Sequence, residues 1–74
     1  MEALLEILEE LHPEIDFLTH EKLIDDKILD SFDIITLITE ISEEYDVRIP
    51  VDEIAPQNFN SAQALYALIQ RLLD

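Results

Sequence analysis

Cysteine, glycine and tryptophan are all missing from this chain of 74 residues, and cations are scarce, with four Lys and Arg against eighteen Asp and Glu. Without cysteine there is no disulfide, no thiol nucleophile and no thiolate metal ligand, and the absence fits a reducing compartment. The two histidines, His12 and His20, lie in unrelated segments with no metal-ligand spacing between them. Without glycine there is neither a phosphate-cradling loop nor a dinucleotide fingerprint. The same lack removes an oxyanion turn from any Ser31/His20 hydrolase, for which the chain is also too small to build a water-excluding cleft. Calcium binding through Asp25, Asp26, Asp30 and Asp33 fails the helix–loop–helix template, which needs alternating ligands and a turn glycine, so only loose cation binding is expected of these acids. Long apolar runs are missing too. The segment Glu2-Ala3-Leu4-Leu5-Glu6 is acidic and amphipathic, unlike a targeting peptide or a membrane span, so a cytoplasmic protein without membrane insertion is expected.

The formal net charge is −14, a field that repels nucleic acid and anionic membrane and draws in basic protein surfaces. Yet 49% of residues are apolar, too many for a disordered acidic tail. Residues 1–74 are expected to form one domain, a monomer, whose small unstapled core supplies only about 3–5 kcal/mol.

The spacing predicts helices and no strands. Leu4, Leu5, Ile7, Leu8 and Leu11 recur at helical period, and His12-Pro13 ends the run because proline disfavours helix in the residue before it, giving a first helix over about 2–11. From Pro13 to Leu29 the period is lost, and this long connection must bury apolar side chains of its own. A second helix is predicted from about Ser31 to Tyr45, with Asp30 as its cap and Asp33 adding negative charge in the first turn. Val47 to Pro50 reads as extended, Val51 to Ala55 as one short helical turn before Pro56. The last helix is expected to begin at Asn60 or Ser61, with Leu65, Leu68, Ile69 and Leu72 as its stripe. The fold class is therefore all-α, a bundle of three longer helices and one short one with a long first loop.

Ile28-Leu29-Asp30-Ser31-Phe32-Asp33 sets one serine between two aspartates where the loop pattern becomes a helix pattern; if a chain without cysteine handles activated acyl groups as thioesters, the thiol must come from a prosthetic group attached to a hydroxyl. Ser31 is the obvious hydroxyl. In the helix that follows, Leu37, Ile41, Ile34, Tyr45 and Ile38 cover an ordinary core arc, while Phe32 and Ile35 extend the apolar surface beyond it. Thr36 and Thr39 share that side, with Asp33, Glu40 and Glu43 alongside. This strip reads either as packing under the long loop or as a docking face in which acids steer and apolar residues anchor.

Leu29-Asp30-Ser31-Phe32-Asp33, then Ile35, Leu37, Ile38 and Ile41, Glu43-Glu44-Tyr45, Ile49-Pro50 and the capped last helix together resemble the acyl carrier protein family over essentially the whole chain. The resemblance implies an acyl-carrier-protein-like bundle that is not an enzyme. It implies a 4'-phosphopantetheine arm on Ser31, transferred from coenzyme A by a phosphopantetheinyl transferase, with acyl or aminoacyl cargo held as a thioester. It further implies an acyl- or aminoacyl-loading ligase and downstream acyl-handling enzymes as partners. Asp30, Phe32, Asp33, Ile35, Thr36, Thr39, Glu40 and Glu43 are the expected partner-binding residues. Phe32 after the serine, the missing glycine before it and Asn58-Phe59-Asn60-Ser61 opening the last helix are similar to D-alanyl carrier proteins and to free-standing carriers of aminoacyl or polyketide-type pathways, whereas Asp33 is similar to the fatty-acid type, so fatty acyl, polyketide and aminoacyl cargo all stay open. The rival expectation is an acidic helical adaptor or regulator of basic protein surfaces, in which Ser31 only opens a helix. His12, at a helix end, reads as a partner of the helix dipole.

Overall fold

The computed structural model describes residues 1–73. Its helices are α1 (Glu2–Leu11), α2 (Ser31–Tyr45), α3 (Pro56–Phe59) and α4 (Ala62–Leu73), with a 3₁₀ turn at Val51–Glu53 and no strand among the described residues. None of the described helices is long and apolar enough to cross a membrane.

Each of the long helices buries the face its period dictates. Leu4, Ile7 and Leu8 of α1, Leu37 and Ile41 of α2, and Ala62, Leu65, Leu68 and Ile69 of α4 meet in one core, and burying each large side chain contributes about 1.5–3 kcal/mol. Ile34, Ile38, Tyr45 and Leu72 pack at its edge, half-buried. α1 stops at His12, whose backbone, at φ −141° and ψ 80°, lies outside the α region that a following proline disfavours.

The long connection between α1 and α2 buries Phe17, Leu23 and Leu29 in the same core. Its backbone is held from the far end of the chain. Asn60 Oδ1 accepts from the N–H groups of Ile24 (2.9 Å) and Asp25 (3.1 Å), and the Asn60 carbonyl accepts from the Leu23 N–H (2.8 Å). Gln63 Nε2 donates to the Leu18 carbonyl at 3.0 Å. With no glycine to use, the chain turns on Lys27 and Asp46, both left-handed, at φ 60° and 53°.

One expectation about the C-terminal half needs correction. The short helical turn expected over Val51 to Ala55 is a 3₁₀ turn ending at Glu53, and a separate four-residue helix, α3, follows it. Pro56 starts that helix, because the first helical position needs no N–H and suits the fixed φ of proline. Phe59 therefore closes α3 with its ring buried, and α4 begins at Ala62 with Ser61 as cap, its Oγ accepting from the Ala64 N–H at 3.0 Å. Asn60 is spent on the long loop.

Candidate functional site

The corner before α2 is fixed from both sides. Leu29 is buried in the core and its N–H, like that of Ile28, donates to the Leu23 carbonyl, so the chain reaches Asp30 from an anchored position. Asp30 is extended and accepts the Asp33 N–H through Oδ1 at 2.9 Å, while Asp33 Oδ2 accepts the Asp30 N–H at 3.3 Å. This reciprocal box satisfies two of the N–H groups that a helix start leaves unpaired. Ser31, the first residue of α2, is exposed between the two aspartates.

A residue from another element completes the corner. His12 Nε2 lies 2.8 Å from the Asp33 Oδ2 that closes the box, and its Nδ1 lies 3.4 Å from Glu14 Oε2. The hydrogen bond to Asp33 raises the His12 pKa above its ordinary 6.5, against a smaller opposing effect of burial, and Glu14 adds to the rise. Sequence reading placed His12 at the dipole end of α1 but had no signal for this contact, which spans 21 positions. Far from the corner, burial raises the Tyr45 pKa, partly offset by the Leu4 backbone beside its hydroxyl.

Along α2, Phe32 is 80% exposed and Ile35 61%, so neither packs under the loop. Thr36, Thr39, Glu40 and Glu43 are exposed beside them, as is Asp30 at the corner. Two expected docking side chains are partly committed within the molecule. The Thr39 hydroxyl donates to the Ile35 carbonyl at 3.1 Å, and the half-buried Asp33 carboxylate is occupied by Asp30 and His12. Val51 on the 3₁₀ turn, 84% exposed, and Leu18 on the loop, 59% exposed, are apolar surface that helical periodicity could not reveal because both lie outside the long helices.

One turn into α2, Ile34 forms a wall of an apolar cleft with Ile24, Ile54, Ala55, Pro56 and Phe59. Its volume is about 80 Å³, roughly half the ~150 Å³ of a dry cavity that admits benzene. No group of three or more His, Asp or Glu among the described residues could hold a metal ion.

Comparison with known proteins agrees with this geometry. A family model described as the phosphopantetheine attachment site matches residues 1–69, which include the whole Ser31 corner. The chain is 36% identical over 62 residues to the D-alanyl carrier protein of Streptococcus sanguinis (strain SK36), covering 82% of this chain and 78% of that one. It is 30% identical over 73 residues to the D-alanyl carrier protein of Streptococcus suis (strain 05ZYH33), covering 97% and 92%. No solved structure matches at a significant level. The chain thus belongs to the phosphopantetheine-attachment-site family and is a carrier protein, related to the D-alanyl carriers.

Proposed function

We propose that Ser31 carries a 4'-phosphopantetheine arm and that the arm's thiol carries a short aminoacyl group, of the D-alanyl kind, as a thioester. The observation that carries this reading is an exposed hydroxyl at the first position of a capped fifteen-residue helix, inside the region the family model matches. A phosphopantetheinyl transferase supplies the chemistry. The Ser31 oxygen bonds to phosphorus, the phosphoanhydride of coenzyme A breaks, its adenosine bisphosphate half leaves, and the hydroxyl proton passes to a base of that enzyme. The phosphodiester then sits at a helix N-terminus, where unpaired N–H groups and the dipole favour negative charge.

Short cargo is supported by the cleft beside Ile34, whose volume of about 80 Å³ gives little shelter to a long chain. An aminoacyl group has no use for it, since its ammonium is costly to place among Ile, Pro and Phe side chains. Partner enzymes, a loading ligase among them, are read as docking on Phe32, Ile35, Thr36 and Thr39. Asp30, Glu40 and Glu43 supply attraction to basic surfaces, and Asp33 holds the corner.

Coexpression with a broad-specificity transferase tests the attachment, with intact mass as the readout. The wild type is expected to gain one phosphopantetheine and Ser31→Ala none; an unmodified wild type leaves the adaptor reading in place. Loading the modified protein with D-alanine through an ATP-dependent ligase, and separately with an octanoyl group, tests the cargo. Slower attack of a small amine on the octanoyl thioester than on a free octanoyl phosphopantetheine would mean that the helices shelter the chain, and the short-cargo reading would be wrong.

A further inference from the structure

We propose that His12 is a positioning residue for the Ser31 attachment turn, holding the Asp30–Asp33 box in place from the end of α1. The inference rests on Ser31 being the attachment site, and it concerns what keeps that site in register.

The box is weaker on one side than on the other. The Asp30 carboxylate holds the Asp33 N–H at 2.9 Å, but the return bond from the Asp30 N–H to Asp33 Oδ2 is 3.3 Å long. Left alone, an aspartate at the third helical position has a short side chain to reach back to the cap, and free rotation would release it to solvent. His12 supplies the missing constraint. Its Nε2 approaches the same Oδ2 at 2.8 Å, the length of a charge-assisted bond, and fixes the carboxylate where it meets the Asp30 N–H.

The second ring nitrogen shows which form of His12 makes the full set of contacts. Nδ1 faces Glu14 Oε2 at 3.4 Å, and a carboxylate can only accept, so both nitrogens carry protons when both contacts are made. Asp33 from α2 and Glu14 from the following loop are the charged groups that act on the ring, and both favour the imidazolium. The ring also sits at the C-terminal end of α1, where the dipole favours a cation. His12 thus joins two helix ends of opposite polarity, the negative end of α1 and the capped start of α2. Protonation near neutral pH strengthens the bond that keeps Ser31 on its turn, and deprotonation leaves a neutral donor to Asp33 and loses the Glu14 contact.

The test compares wild type, His12→Ala and His12→Gln for the rate of transferase modification at Ser31 across pH 6 to about 8.5, with rates taken as ratios to wild type so that the enzyme's own pH dependence cancels. It also follows His12 titration and Asp30 amide exchange by NMR in the unmodified protein. The His12→Ala ratio is expected to be about one third at the acid end, the size of effect a partly exposed ion pair provides, and to rise toward one as wild-type His12 loses its proton. His12→Gln, which keeps a neutral donor, should recover part of the rate, and exchange at the Asp30 amide should quicken in His12→Ala. Asp33→Asn should lower the His12 titration midpoint. Ratios that stay flat with pH and no recovery by glutamine would show a purely structural histidine and overturn the proposal, as would unchanged Asp30 exchange. If His12→Ala does not fold, the pH slope of the His12→Gln ratio decides alone. A wild type that is never modified refutes the attachment reading, while the NMR measurements still judge the His12 contact.

Discussion

Two neighbouring side chains of α2 have opposite consequences although both are aliphatic. Leu37 is fully buried and Ile35 is 61% exposed. Leu37→Ala is expected to cost about 2–5 kcal/mol in chemical denaturation. Ile35→Ala should shift stability by no more than about 0.5 kcal/mol, while lowering the kcat/KM of partner enzymes; an unfolded Ile35→Ala protein would place that side chain in the core. The 100° step of a helix separated positions 34, 37, 38 and 41 from 32 and 35 beforehand, but whether the second pair packs under the long loop depended on the path of that loop and was not legible. The His12–Asp33 contact was not legible. Nothing about a histidine before a proline, or an aspartate three residues past a cap, specifies that they meet, since the meeting depends on how α1 leans on α2.

At the level of elements, the ends of the helices hold the weak points. Asp46 closes α2 in the left-handed region, at φ 53°, with no basic residue in the last turn and Glu43 and Glu44 close by. A carboxylate there opposes the helix dipole, and a side chain with a Cβ is strained in that conformation. Asp46→Gly is accordingly expected to stabilise the protein by about 1 kcal/mol, measured by thermal or urea unfolding. Asn60→Ala acts in the other direction. It strips the acceptor from the Ile24 and Asp25 N–H groups, should cost about 1–3 kcal/mol, and should speed hydrogen exchange at those two amides first. The boundaries of α1 and α2 followed from proline and capping chemistry, so the sequence was informative there. α3 escaped it because Pro56 reads as a stop when it follows a helical turn and as a start when it precedes one, and four residues carry no period to choose between them.

For the whole molecule the dominant quantity is charge. A formal net charge of −14 on a fold with extents of 30 × 23 × 20 Å keeps most carboxylates within the roughly 30 Å screening length of 0.01 M salt. Among the described residues Arg71, paired with Glu53 at 3.1 Å, is the single Lys or Arg in an ion pair. Raising sodium chloride from about 0.01 M to about 1 M shortens the screening length from roughly 30 Å to roughly 3 Å and should raise the melting temperature; a melting temperature that stays constant or falls would show that self-repulsion is not what limits stability. Composition alone conveyed this much, and period alone conveyed the all-helical class. The path of the long loop was hidden, because the hydrogen bonds that set it come from Asn60 and Gln63, far along the chain.

That distant stitch sets an order of events during biosynthesis. The stretch leading to Ser31 is translated first, and Asn60, which clasps the backbone at Ile24 and Asp25, only after α3. If Ser31 is the attachment site, a ribosome stalled before Asn60 should display a serine that the transferase modifies poorly, and extension through α4 should restore the reaction.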